Sequence, residues 1–398
     1  MPNICFYFQV HQPRRIKKYP IFNIGKDHNY FNDDSESKLN NKKIFRKVSE
    51  KCYLPTNRVM LDLLRKHKDF KISYSLSGIF LEQAEEYYPE VLDSFRSLVQ
   101  TGQVELLSET YYHSLAALYS QEEFESQIQM HKDIIKRLFN IEPRVFRNTE
   151  LIYNNDIAKM VEGLGFSGIL TEGVDDILGW RSPNFLYKPK GTEKIKLLLK
   201  NYKLSDDIAF RFSSREWKEW PLTADKFAAW ISEHNGNAEI INLFMDYETF
   251  GEHQWEDTGI FHFLYNLPDE VFKNKDNGFK TPSEVITTHK THDEVDVKRH
   301  ISWADIERDL SAWRSNSMQH TALNDIYSIK EAVFKTKDKN LISDWRKLQT
   351  SDHFYYMCTK WFSDGDVHKY FNPYESPYDA FISYMNVLKD LKTRIKEA

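Results

Sequence analysis

Residues 238–253 read AEIINLFMDYETFGEH. The first half has the character of a buried strand. The second sets Asp246, Glu248, Glu252 and His253 among aromatic residues and one glycine. Burying an unpaired carboxylate is costly. A buried strand that runs into carboxylates therefore marks either satisfied ions on a loop or a site whose chemistry uses acids.

Working outward, the same strand character recurs at 3–12 (NICFYFQVHQ), 70–78, 103–112, 144–153, 165–173 and 195–204. Between these segments lie amphipathic stretches. QEEFESQIQMHKDIIKRLF (121–139) places Phe124, Ile128, Ile135 and Leu138 on roughly one stripe, and NRVMLDLLRKH (57–67) does the same with Val59, Met60, Leu63 and Leu64. NNDIAKMVEGLG (154–165) and TADKFAAWISEHNG (223–236) open and close with capping residues. Strand and helix in repeated alternation predict an α/β fold with a parallel sheet and helices outside it. About seven strands favour a closed or nearly closed β/α barrel over an open doubly wound sheet. From about residue 300 the pattern turns helical: 301–316, 324–339 and 376–398 all read as helices. The intervening TTHKTHDEVDVKRH (287–300) is polar and reads as a linker. The expected organisation is a barrel over residues 1–290 and a helical domain over 291–398 that contributes to the cleft.

Bulk properties narrow the function classes. In 398 residues, hydrophobic residues make up 41% and charged residues 28%, as in a soluble globular protein. The net charge of −5 and the lack of a long basic run give no footing for nucleic acid. No run is long enough to span a membrane, and the N-terminal segment lacks the basic start of a signal peptide. Three cysteines are too few and too odd for a disulfide framework. A cytoplasmic location is expected. Aromatic residues reach 15%, and their faces suit both a core and flat apolar ligands such as sugar rings.

In a β/α barrel the active site lies at the C-terminal ends of the strands. His11-Gln12-Pro13 ends the first predicted strand. Glu105 lies in the third, with Glu109 and His113 beyond; Asn148-Thr149-Glu150 ends the fourth, and Asp246 and Glu248 end the last. Each has a plainer reading: His11 as a core histidine, Glu105 facing solvent, Glu150 as a cap, Asp246 and Glu248 as ligands of a structural cation. Recurrence at four strand ends is what makes a site candidate. His289 and His292 have a spacing that suits a metal, but they fall in the charged linker.

At HQP (11–13), GQVELL (102–107), FRNTELIY (146–153) and FMDYETFGEH (244–253) the chain resembles glycoside hydrolase family 57. SWADIERDLSAW (302–313), with Trp303 and Trp313, is similar to a fifth region of that family. The third region departs most from the family wording; the ordered set carries the resemblance. It implies an incomplete seven-stranded β/α barrel followed by a C-terminal helical bundle, and an α-glucan substrate. It also implies a retaining mechanism with Glu150 as nucleophile and Asp246 as general acid/base. α-Amylase-type hydrolysis of maltooligosaccharides, starch or glycogen is expected, with 4-α-glucanotransferase or branching activity as the alternative. No metal or cofactor is expected. His11, Gln12, Glu105, His113, Glu248, His253 and Trp303 are implied to touch sugar, with Asp207 and Arg211 as a further binding loop. Trp255 and Tyr247 are candidate sugar platforms. Asp352 and His353 are expected to bring the helical domain over the barrel.

A retaining glycosidase needs one ionised and one protonated carboxyl about 5–5.5 Å apart. An aspartate normally titrates near 3.9, so Asp246 must be held protonated. The neighbouring charges of Glu248 and Glu150 are expected to do this. Two rivals are a metal-dependent polysaccharide deacetylase, whose ligand set is not found near a strand end, and a carbohydrate-binding protein with a relic site.

Overall fold

The computed structural model describes residues 2–32, 34–35, 38–360 and 367–398. Seven parallel strands follow one another in chain order: β1 (Asn3–Val10), β2 (Ile72–Leu76), β3 (Val104–Leu106), β4 (Val145–Arg147), β5 (Gly168–Glu172), β6 (Lys196–Lys200) and β7 (Ile240–Asp246). The ladder runs β3-β2-β1-β7 in one half and β4-β5-β6 in the other. The halves meet twice. A bridge between Ser108 and Phe146 continues β3 onto β4. At the other seam Asn242 of β7 accepts from Asn201 N (2.9 Å) and its side chain donates to Leu199 O of β6 (2.8 Å). The result is the incomplete seven-stranded β/α barrel implied by the resemblance.

Period-two alternation decides what each strand residue faces. In β1, Cys5 and Tyr7 join Leu107, Leu151, Leu170, Leu198 and Phe244 in a cluster inside the barrel. Ile4, Phe6, Phe8 and Val10 face outward onto the surrounding helices. In β7, Ile240 and Phe244 face inward while Ile241, Leu243 and Met245 face out. Asp246 is in phase with the inward set and is the last residue of its strand. Its register partner on β1 is Gln9, also in the inward phase. The barrel is thus packed with apolar side chains up to one end, where the inward positions become polar.

The opposite end is closed by the helix Pro282–Thr288, whose Val285 joins the interior cluster. A Cβ on Gly168 would lie 2.2 Å from Ile286 Cδ1, so this helix packs its Ile286 side chain directly over the start of β5.

Downstream helices, including Ser317–Ser328, Lys339–Lys347 and Pro377–Glu397, do not form a separate core. Trp313, Leu323, Trp345 and Leu388 pack in one cluster with Phe124, Phe146 and Ile157 from the barrel and its helices. No helix among the described residues is long and apolar enough to cross a membrane.

Two expectations are corrected. The helix predicted over 301–316 is helical only at Ser311–Arg314. Asp305 and Arg308 take positive φ (54° and 51°). Trp303 and Arg308 both reach the cleft side, to Glu150 and Glu172. A continuous helix would set these two side chains about 140° apart, which opposes that convergence. The supposed linker 287–300 contains the strand Asp293–Val295, which pairs with Tyr187–Pro189. Val295 and Val297 are buried; their period-two signal is masked in the sequence by flanking charges.

Candidate active site

A cleft of about 260 Å³ opens at the C-terminal ends of the strands. It is lined by His11, Gln12, His113, Glu150, Asp246, Glu248, His253, Trp303 and Asp352, so the fold brings these predicted residues together from across the chain.

Glu150 sits one turn beyond β4, in the short helical turn Thr149–Leu151. Its φ is 58°, and Leu151 follows at 52°. A non-glycine residue in this region is strained by on the order of 1–3 kcal/mol, and such strain concentrates at functional sites. Backbone bonds hold the turn: Leu151 N to Asn148 O (3.0 Å) and Trp303 N to Glu150 O (3.2 Å). The carboxylate, about one-fifth exposed, accepts from Trp303 Nε1 at 2.8 Å and Ser351 Oγ at 3.3 Å, and lies 3.4 Å from His113 Nε2. Burial raises its proton affinity, but the hydrogen bond and charge of His113 outweigh burial and hold it below the ordinary value.

His113 is the hub. Its own φ of 50° turns the ring into the site. Nδ1 lies 2.9 Å from Glu109 Oε2 and Nε2 faces Glu150. Burial opposes the imidazolium, yet these two carboxylates raise its pKa to about 9. Glu109, fully buried, is driven the other way, to about 2, because the bond to His113 overcomes burial. Gln9 Nε2 donates to the other Glu109 oxygen at 2.9 Å. The His11 ring stacks on His113 with centroids 4.0 Å apart. Burial and the adjacent charge of His113 lower the His11 pKa. His11 therefore stays neutral, bonded to Asp352 Oδ2 (3.0 Å) and Ser77 Oγ (2.7 Å).

Asp246 is pushed up to about 6, first by burial and then by the charge of Glu150. Glu248 goes further, to about 8, through burial and then the charge of Asp246. Its Oε1 accepts from Tyr53 OH and from His11 N (3.3 Å). The expectation that Glu248 lends a charge to Asp246 is thus reversed in sense: Glu248 keeps its own proton through neutral pH, and the charge acting on Asp246 is that of Glu150. His253 is lowered to about 4 by burial and stays neutral.

Other predicted residues stand outside the cleft lining. Glu105 accepts from Ser283 N (2.9 Å) and Ser283 Oγ, at the start of the helix that closes the far end of the barrel. Asp207 binds Arg211 Nε at 2.6 Å in the turn that presents Ala209 and Phe210 to the cleft. His353 is buried against Tyr384 and donates toward Lys347 O (3.1 Å). Tyr247 is core, bonded to Asn57 (2.6 Å), and Trp255 is exposed at 58%. His289 lies against Val285 O, and His292 stacks on Phe185. The three cysteines are free and buried.

Residues the sequence reading did not single out support the site. Gln9 interrupts the apolar run CFYFQV in the inward phase, and Arg147 does so in VFRNTE; both are legible as polar residues where a strand should be apolar. Lys200, at the end of β6, lines the cleft and is held by Asp206 (3.0 Å) and Glu172 (3.4 Å). Arg308 reaches the same Glu172 at 2.6 Å.

The model for glycosyl hydrolase family 57 matches residues 5–298. A Methanocaldococcus jannaschii protein provisionally named an alpha-amylase is 48% identical over 99% of this chain and 85% of its own length. The 4-alpha-glucanotransferase of Thermococcus litoralis is 27% identical over 37% of this chain, a match that spans only 22% of that relative. Among solved structures, the family 57-type branching enzyme of Pyrococcus horikoshii superposes with a TM-score of 0.70 at 15% identity, over 93% of this chain and 87% of that one. That likeness concerns the fold; the family model and the near-full-length relative establish membership, and the chain is an enzyme of glycosyl hydrolase family 57.

Proposed function

We propose that this enzyme cleaves α-1,4-glucans with retention, Glu150 acting as nucleophile and Asp246 as general acid/base. The observation that carries the reading is the placement of both carboxyls in one cleft with opposite proton affinities. Glu150 is gripped by Trp303 and faces the His113 imidazolium, while Asp246 stands half-buried in the same cleft, within reach of the Glu150 charge. Glu150 Oε attacks the anomeric carbon as Asp246 gives its proton to the departing glycosidic oxygen. A glycosyl ester forms and the Glu150 charge disappears. Asp246, now a carboxylate, takes a proton from the incoming hydroxyl, whose oxygen attacks the same carbon and releases Glu150. Two inversions give net retention. Neutral His11 and His253, and protonated Glu248, offer uncharged hydrogen-bonding groups for sugar hydroxyls.

Water as the incoming hydroxyl gives α-amylase-type hydrolysis, the primary reading. A sugar hydroxyl gives 4-α-glucan transfer, a second reading favoured by the named activity of the Thermococcus litoralis relative. Incubation with maltoheptaose, followed by NMR before mutarotation and by product sizing, tests both. The expected result is α-configured product of shorter chain length; products longer than the substrate would assign transfer instead. Asp246→Asn should lose roughly 10²–10⁴-fold in rate on the same substrate. Release of β-configured sugar, or an Asp246→Asn variant as active as wild type, would overturn the assignment.

A further inference from the structure

Arg147 ends β4 and is fully buried. None of its three guanidinium nitrogens has a hydrogen-bond partner among the described residues. This is unusual, because a buried charge is normally paired and hydrogen-bonded, and an apolar side chain of similar volume fills such a space without the desolvation cost. Lys200 also lies near the Trp303 ring, 5.5 Å from its centroid, but Asp206 and Glu172 hold it. Arg147 instead presses its guanidinium carbon to within 4.7 Å of the Trp303 centroid, the arrangement of a cation on an indole face. That indole is the one whose Nε1 donates to Glu150. Arg147 itself is not part of the cleft lining, so its effect runs through its neighbours.

We propose that Arg147 is a positioning residue for the reaction: it fixes the Trp303 indole that grips Glu150, and it supplies a fixed positive charge shared by Glu109, Glu150 and Asp246. The inference rests on the assignment of Glu150 and Asp246 given above. The charge of Arg147 lowers the proton affinity of all three carboxyls. The other groups facing them are His113 against all three, His131 against Glu109, Asp352 against Glu150, Glu150, Lys200 and Glu248 against Asp246, and Tyr7 beside Glu109 and Asp246. Among these, Arg147 is a permanent cation with no hydrogen bond, so its removal changes the field without cutting a hydrogen-bonded chain.

The test is the pH dependence of kcat/KM for Arg147→Met and Arg147→Lys on maltoheptaose. Loss of the positive charge raises the proton affinity of Glu150, which sets the lower limb, and of Asp246, which sets the upper. Arg147→Met should therefore move both limbs to higher pH by roughly one pH unit and lower kcat more than it raises KM. Arg147→Lys should keep both limbs near their wild-type positions while recovering only part of kcat, since an ammonium does not reproduce the planar stack. If the Met variant does not accumulate folded, Arg147→Gln takes its place as the neutral variant, with the same expectation. A neutral variant whose limbs superpose on wild type, or a Lys variant displaced as far as the neutral one, overturns the proposal. Asp246→Asn is run alongside: if it retains full activity, the catalytic assignment itself has failed rather than the role of Arg147.

Discussion

Glu248 holds its proton to about pH 8 while Asp246, two residues earlier, gives its own up near 6. The difference follows from what each faces. Glu248 is buried and Asp246 half-buried, and Asp246 has the compensating charges of Arg147, His113 and Lys200, whereas Glu248 is met by neutral donors and by Asp246 itself. A glutamine is close in shape and charge to a protonated glutamate. Glu248→Gln should thus leave the upper limb of the kcat/KM profile within a few tenths of a pH unit. The stability consequence has a definite sign. Between the ordinary glutamate value, near 4.3, and about 8, the folded protein holds a proton that the unfolded chain has released. Folding stability therefore falls as pH rises through that window. The Gln variant lacks this loss, so its stability advantage over wild type should grow from pH 5 to pH 8, by at most about 1.4 kcal/mol per pH unit. Urea titrations at several pH values measure it; an advantage that shrinks with rising pH would show that Glu248 is ionised in the fold.

At the scale of the element, the motif from Asp246 to Gly251 shows how a strand end becomes a site. β7 stops at Asp246, Tyr247–Thr249 makes one tight turn, and Gly251 completes it at φ 110°. A Cβ there would sit 2.1 Å from Lys51 O. Gly251→Ala therefore meets both a forbidden backbone region and a backbone clash. It should destabilise the protein by several kcal/mol, beyond the usual range for a point substitution, as read by urea midpoint. A midpoint within experimental scatter of wild type would show that the turn can relax away from Lys51. The same segment explains what was legible in the sequence. AEIINLFMDY declared its strand by apolarity and its site by the acids that stopped it. Position at the C-terminal ends of apolar strands is what let Asp246 and His11 be placed. Glu105 could not: it shares the inward phase with Leu107, but it lies toward the end of the barrel that Ser283 closes, and depth along a strand is set by register, which one sequence does not show. The 301–316 segment reads as a helix because its apolar spacing suits one, while the contacts that unwind it, Trp303 to Glu150 and Arg308 to Glu172, join residues more than 130 positions apart.

The whole molecule closes its site by tying distant parts of the chain across the cleft. His11, at the end of β1, bonds Asp352 on the helix Ser351–Tyr355. Ser351 N reaches His113 O at 2.9 Å, and Thr350 pairs with Ser114. The C-terminal helices thus hold the His11–His113 stack from above while sharing one hydrophobic core with the barrel. Asp352 is the ionic part of this tie. Burial opposes its charge, but His11 and the nearby His113 outweigh burial and hold its carboxyl well below the usual aspartate range. A depressed carboxyl contributes stability that is present above the ordinary aspartate value, near 3.9, and is lost as pH falls through the lower folded value. Asp352→Ala leaves the partly buried His11 ring without its acceptor and should cost roughly 1–3 kcal/mol at pH 7. The gap between variant and wild type should narrow as pH drops below about 4. Denaturant titrations at pH 7, 5 and 3.5 give the gap directly. A gap that is constant across that range would mean that Asp352 contributes through packing alone, and that the barrel and the helices are held together by their common core rather than by the charge placed between them.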